Sequence, residues 1–340
     1  MTLQSSGTIR WSDIRDEFGP NVGTTGVSLG RYRNSDSNFG NKDVGSLTDL
    51  PLDIGVPKSG TISARNFYSK RLNMVLDMYS GNTETRINCR TRYNDSNNVK
   101  VVGGYRPRPS NTDNTRVIVN VNKTFGSETG ATNRVAVRSG TWGSNCDLEF
   151  EIGTDGKIYG AGGDGGDGGS ANGNGGGSSG GAGSSALGIE YTCTINNLGR
   201  IQSGFGGGGG GGGRREYRRS GKKSGRWVGS SGGGGGGGAG VPSSSGGSSP
   251  EDSYGGGSNG SDGGNGADIT SGQGGAGGDS AGAGGDGAAV NNTSTNGEQG
   301  GNGGAFGGPN GWAILTTQGS LPTITGNAVI GKTDTNASLA

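Results

Sequence analysis

The chain has 340 residues and is almost neutral, with 29 Lys and Arg against 28 Asp and Glu, which argues against a generally basic nucleic-acid binder or an acidic tail. Only 26% of its residues are hydrophobic while 83 are glycine, against about 7% glycine in average usage, so one conventional core of that length is excluded. Histidine is absent, which removes the commonest general base and the commonest metal ligand.

Cys89, Cys146 and Cys193 fit neither a disulfide framework nor a zinc spacing and read as small buried residues. The start, Met1 to Gly7, lacks a charged region followed by an apolar core, and no stretch approaches the ~20 apolar residues that span a bilayer. Neither a signal peptide nor membrane insertion is expected, and no cofactor is implied. The apolar residues gather before Ile158 and after Trp312, which predicts ordinary folded modules flanking something different.

The first seventy residues hold a duplication: Ser6-Gly7-Thr8-Ile9 leads to Ile14, and Ser59-Gly60-Thr61-Ile62 leads to Phe67. In the first copy Ser12 is expected to cap a short helix, Asp13 to suit its positive end and Gly19 to stop it. Trp11, Ile14 and Phe18 are its expected buried face. The motif Ser-Gly-Thr-Ile-x-Trp-Ser-Asp-Ile-x-x-Glu-Phe-Gly, with the second copy and Phe67-Tyr68, resembles a short module of tailed-phage tail proteins. That resemblance implies a virion tail component docked to other tail or baseplate proteins.

From Met74 to Ile158 the pattern has period two: Val117, Val119 and Val121, then Val135 and Val137, then Leu148, Phe150 and Ile152. The turn-like Asn94–Asn98 and Gly126–Gly130 stretches between them predict an antiparallel β-sandwich. Its acids, Asp77, Glu84, Asp95 and Asp113, fall at separate turns or strand ends and form no catalytic pair.

A second repeat follows. Ile152-x3-Gly156-Lys157-Ile158 runs into the glycine tract at Gly160, and Ile195-x3-Gly199-Arg200-Ile201 runs into the next at Gly204. Leu315-x3-Gly319-Ser320-Leu321 reads as a weaker third copy. Within the tracts other residues return every third position, as Ala161, Asp164, Asp167 and Ser170 do. A polyproline-II helix has about 3 residues per turn and no internal hydrogen bonds, so its backbone groups must be met by neighbours or water. Turns bearing two glycines can approach closely enough to bond to one another. Trp312-Ala313-Ile314-Leu315 then arrives as closing strand. Collagen fails for want of proline. The calcium-repeat match at Gly263–Thr270 occurs once, whereas such sites need tandem copies. A flexible linker remains the alternative.

Between two glycine runs sits Arg214-Arg215-Glu216-Tyr217-Arg218-Arg219-Ser220-Gly221-Lys222-Lys223-Ser224-Gly225-Arg226-Trp227. A glycine rod from Gly206 to Gly213 spans ~25 Å at about 3.1 Å per residue and would deliver this segment to an end of a bundle. The aromatic rings offer stacking faces, and the cations offer contacts to phosphate, carboxylate or acidic sugars. The candidate site is Arg214, Arg215, Tyr217, Arg218, Arg219, Lys222, Lys223, Arg226 and Trp227, with Tyr254. Further candidate loops are Val241–Tyr254 and Val290–Gln299; a solvated charged loop is the plainer reading.

The glycine tracts and their Gly-x-Ile-x-Gly-x-Gly-Gly lead-in resemble the glycine-rich receptor-binding domains of phage tail-fibre tip adhesins. The resemblance implies stacked polyglycine-II helices whose distal loops touch a host glycan or outer-membrane protein, and a homo-oligomer, taken as a trimer. The expected fold is mainly β and irregular: an attachment module (1–71), an antiparallel β-sandwich (72–158), a packed polyglycine-II helix bundle with inserted loops (159–311) and closing strands (312–340). The expected function is a tail adhesin of the virion; the alternative is a structural tail component with the bundle as a rigid spacer. A polysaccharide-cleaving enzyme would want paired carboxylates in a groove, which short side chains do not build.

Overall fold

The computed structural model describes residues 3–18, 29–32, 56–57, 60–71, 73–78, 86–95, 99–101, 109–172, 176–218, 226–253, 260–266, 298–299, 308–335 and 339. Among the described residues helix is scarce and strand far outweighs it, in line with the expected mainly β fold. In α1 (Trp11–Phe18) the Arg10 N–H donates to the Asp13 carboxylate at 2.7 Å, a first-turn acid at the positive helix end. Ser12 therefore lies inside the helix and is not its cap. Ile14 and Phe18 are buried, but Trp11 is 48% exposed, because as the first helical residue it runs past the cluster the helix packs on. That cluster joins Phe18, Tyr32 of a one-turn helix (Leu29–Tyr32) and Phe67 of another (Ala64–Phe67), with ring centroids 5.7–6.1 Å apart. Gly19 lies outside the described residues.

The central body is wound rather than folded back on itself. β1 (Asn73–Asp77) and β2 (Ile87–Asn88) precede α2 (Cys89–Asn94) and β3 (Val99–Val101); then come β4 (Arg116–Val121), β5 (Thr124–Phe125) and β6 (Val135–Arg138). β7 (Asp147–Ile152), β8 (Lys157–Tyr159) and β9 (Ser185–Ile189) repeat that trio, and β10 (Cys193–Asn197) and β11 (Arg200–Gln202) begin it again. After β12 (Arg214–Arg218), β13 (Arg226–Ser230) and β14 (Glu298–Gln299), the winding resumes with β15 (Trp312–Thr316), β16 (Thr323–Gly326) and β17 (Lys332–Asp334).

From β4 to β11 consecutive strands enter different sheets. One sheet has the order β16-β10-β7-β4-β1-β3, a second β11-β8-β5 and a third β17-β15-β9-β6-β2. Every pairing along these three sheets is parallel except β1 with β3. The expected antiparallel sandwich is thus corrected to a three-sheet parallel solenoid. The Gly126–Gly130 stretch read as a hairpin turn carries the chain from the second sheet to the third, residues 96–98 of the other such stretch lie outside the described residues, and each strand pairs with its counterpart one coil later.

The core is built by stacking like on like. Leu76, Val119, Phe150, Ile195 and Ile324 stand in register across five strands of the first sheet. Phe125, Ile158 and Ile201 do so in the second, and Val137, Leu187 and Ile314 in the third. Apart from the half-buried Ile324, all belong to one buried cluster, and burying each such side chain contributes about 1.5–3 kcal/mol. Cys89, Cys146 and Cys193 are free and buried, and burial pushes the Cys146 thiol up to about 11. The outer face of the first sheet meets the N-terminal cluster through Val75 and Ile118.

The repeated glycines are corner residues. A Cβ on Gly156 would lie 2.1 Å from the Val121 carbonyl oxygen, and one on Gly199 2.0 Å from that of Gly156. Ile201 pairs with Ile158, yet Asn197 rather than Ile195 pairs with Ile152, so the corner of the later coil is shorter. The proposed third copy is also corrected: Leu315 belongs to the third sheet, and the next coil starts at β16.

Both tracts leave the solenoid at the same corner, between the second sheet and the third. The described glycine-rich residues are bonded sideways, main chain to main chain, every third residue. Gly163, Gly166 and Gly169 donate to the carbonyls of Phe205, Gly208 and Gly211 at 2.8 Å, and Gly208 and Gly211 donate in turn to Gly236 and Gly233 at 2.7 and 2.8 Å. On the other side Gly162, Gly165 and Gly168 donate to Pro242, Ser245 and Ser248. Residues 242–248, read from sequence as part of a Ser/Pro-rich loop, are therefore a bonded segment of this array.

Candidate functional site

The outermost of these rungs joins Gly211 to Gly233, while Gly160 donates to Gln202 at the solenoid. The basic segment follows Gly213 and so begins at the end of the array remote from the solenoid. There β12 and β13 form an antiparallel hairpin with Arg214 opposite Ser230, Arg215 opposite Gly229, Glu216 opposite Val228, Tyr217 opposite Trp227 and Arg218 opposite Arg226. Period-two alternation puts Arg215, Tyr217 and Trp227 at positions on one face, and Glu216, Arg218, Arg226 and Val228 on the other. Val228 is buried, Arg226 is exposed, and Trp227 is 39% exposed.

A third strand comes from elsewhere in the sequence. β14 pairs antiparallel with β12, Arg215 opposite Gln299 and Glu216 opposite Glu298. The second glycine excursion thus contributes to this small sheet twice. The Asn/Thr-rich composition of 290–299 marked a candidate loop, but nothing in it signalled pairing with the basic hairpin. Of the sequence-selected residues, the structure brings together Arg214, Arg215, Tyr217, Arg218, Arg226 and Trp227. Arg219, Lys222, Lys223 and Tyr254 lie outside the described residues.

Beside the hairpin, side chains at the third positions tie neighbouring segments together. The Ser248 N–H and hydroxyl both donate to Asp167 Oδ1 at 2.8 Å, holding its carboxyl below the usual value. Burial raises Asp252, but donors from Ser170, Ala171 and Asn172 outweigh it and leave this carboxyl lowered. These groups bridge segments at the far end of the array.

The solenoid carries its own charged row. Arg116 Nη2 meets Glu149 Oε2 at 2.6 Å, and Asn196 Nδ2 donates to Glu151 Oε2 at 2.8 Å. Burial and the hydrogen bond that its protonated form donates to the neighbouring Glu149 carboxylate raise the Glu151 carboxyl from 4.5 to about 7. Among the described residues no group of three or more Cys, Asp or Glu could hold a metal ion, and no helix is long and apolar enough to cross a membrane.

A wound parallel body therefore carries, at the far end of its glycine-rich array, a small sheet of paired aromatic and basic positions. The sequence profile of the family described as phage tail fibre adhesin Gp38 matches residues 84–334, well over half of the chain. The chain belongs to that family. It is a non-enzymatic component of the phage tail fibre that recognises the host receptor. No curated protein and no solved structure matches it.

Proposed function

We propose that receptor recognition resides in the sheet β12-β13-β14 and in the neighbouring residues 219–225 and Tyr254, carried on the glycine-rich array. The observation that carries this reading is the order of the backbone rungs: the hairpin emerges after the last one, at the end remote from the solenoid. The array itself is a polyglycine-II bundle. Its three-residue rung period, its lateral bonds and its glycines at the points of closest approach support that assignment. Residues 1–71, all of which precede the match to the adhesin family, attach the chain to other tail proteins. The wound body, with its closing strands from 312 onward, anchors the bundle expected over 159–311, apart from β9, β10 and β11, which belong to the wound body itself. The partner at the tip is a host-surface glycan or outer-membrane protein, and several copies per virion, a trimer being the simplest, strengthen weak single contacts through effective concentration.

Replacing Arg214–Trp227 by a Gly-Ser loop tests this. Assembled virions carrying the replacement should lose adsorption to the host. Unchanged adsorption would instead favour the bundle as a rigid spacer.

A further inference from the structure

At the far end of the array, two rows of main-chain rungs end on side chains. In one row Gly162, Gly165 and Gly168 donate to the carbonyls of Pro242, Ser245 and Ser248 at a constant offset. On that spacing the next donor, Ala171, would take the carbonyl of Glu251. It donates instead to the Asp252 carboxylate at 2.9 Å, which also accepts from the Ser170 hydroxyl. In a second row Gly266 and Gly263 donate to the carbonyls of Ser244 and Gly247. Gly260, which on that spacing would take the carbonyl of Pro250, donates instead to the Ser231 hydroxyl at 3.1 Å.

We infer that Asp252 and Ser231 are positioning residues for receptor recognition, which rests on the tip being the receptor site. Each supplies a side-chain oxygen where the next main-chain carbonyl is not used. Together they fix where the connectors of the tip leave the array. A helix cap works the same way: a side-chain oxygen accepts from a backbone N–H that has run out of carbonyl partners.

Both residues act at the feet of the β12-β13 hairpin. Ser170, held by Asp252, lies against the first leg, because a Cβ on Gly213 would be 2.0 Å from the Ser170 carbonyl oxygen. Ser231 directly follows β13, the second leg. Its hydroxyl lies 3.4 Å from that of Ser249. Ser249 in turn donates its hydroxyl to the Gly232 carbonyl at 3.0 Å and its N–H to Asp262 Oδ1 at 2.6 Å. The connector between Ser249 and Gly260 is thus gripped at both ends beside the hairpin, and Tyr254 follows Asp252 by two residues.

A carboxylate makes the stronger cap, since hydrogen bonds to a charged acceptor are roughly twice as strong as neutral ones. A similar tie inside the array differs in consequence. Ser245 and Asp164 meet at 3.4 Å, but there the main chain is already held by the rungs Gly162 to Pro242 and Gly165 to Ser245.

The test measures binding of the full chain to whole cells of a susceptible host strain. Asp252→Ala should weaken binding at least about fivefold, and Ser231→Ala by a smaller factor. Amide exchange at Gly166 and Gly208 should stay as in the unaltered chain. Asp252→Asn keeps an oxygen acceptor for the Ala171 N–H and should bind within about twofold of the unaltered chain. Asp164→Ala should leave binding unchanged. Full binding by Asp252→Ala would overturn the inference, as would equal losses from Asp252→Ala and Asp164→Ala. Failure of Asp252→Asn to restore binding would overturn it by making the charge itself the contact. Faster exchange at Gly166 and Gly208 in Asp252→Ala would overturn it by making the loss one of the whole array. In each of these cases the tip reading stands if replacing Arg214–Trp227 still abolishes adsorption. Adsorption that survives that replacement would overturn the tip reading, and this inference with it.

Discussion

The solenoid and the glycine array fill their interiors with opposite materials. In the solenoid, rows such as Leu76–Val119–Phe150–Ile195 put side chains into a shared interior, and stability follows from apolar area removed from water. In the array the space where a side chain would start is taken by a neighbour's backbone. A Cβ at Gly207, Gly210, Gly235 or Gly238 would lie 1.9–2.0 Å from a carbonyl oxygen of the adjoining segment. Glycine is expensive to order, and what offsets that expense is a dense set of lateral hydrogen bonds rather than apolar burial. The lesson is that sparse hydrophobicity does not imply an unpacked chain when the main chain itself can serve as the packing surface.

Each kind of packing can be disrupted on its own. The largest effect should come from Phe150→Ala in the middle of the solenoid row: a loss of about 3–5 kcal/mol, read by chemical denaturation. Next comes Gly235→Ala, whose methyl would meet the Gly208 carbonyl at 2.0 Å; overpacking of this kind costs about 1–3 kcal/mol and should appear as early proteolysis of the array. Gly264→Ala is its control. A Cβ there meets nothing within 4 Å, so the change should stay within about 0.5 kcal/mol.

The smallest effects concern pH, and the two regions should respond with opposite sign. Asp167 and Asp252 are lowered in the folded chain. Their contribution is present above the ordinary carboxylate value and lost as pH falls through the folded one, so acid should loosen the array. Glu151 is raised from 4.5 to about 7. Its contribution is full below about 4.5 and lost as pH rises through about 7, so the solenoid gains on mild acidification. Glu151→Gln should flatten that gain between these pH values in thermal unfolding of the full chain. Asp167→Asn should blunt acid sensitivity of the array, measured by proteolysis below pH 4.

Much of this was legible in the residues. The valine and leucine alternation gave strands whose alternate residues are buried, and Trp312–Thr316 is a strand whose Ala313, Ile314 and Leu315 are buried. Period two reports only that one face is covered; it carries no record of whether the neighbour runs parallel or antiparallel, and the parallel winding was missed for that reason. The repeat through Gly156 and Gly199 did hold the missing information, since a glycine recurring ahead of an isoleucine marks one corner visited twice. Leu315 imitated it because a strand followed by a glycine turn looks alike in any sheet. Residues 242–248 were misread because serine and proline signal a loop locally, whereas their order here comes from carbonyls taken by Gly162, Gly165 and Gly168. At the tip, the aromatic and basic residues stood out by contrast with their surroundings. β14 did not, because strand pairing between distant segments leaves no mark on either one alone.

The central claim is that the glycine tracts are a packed scaffold and not a tether. Amide hydrogen exchange at Gly166, Gly208, Gly211 and Gly235, each donating to a neighbouring segment at 2.7–2.8 Å, tests it directly. The lateral bonds predict exchange at these four sites slowed at least about a hundredfold relative to an unstructured chain. Exchange at the unstructured rate, with the solenoid still protected, would contradict it.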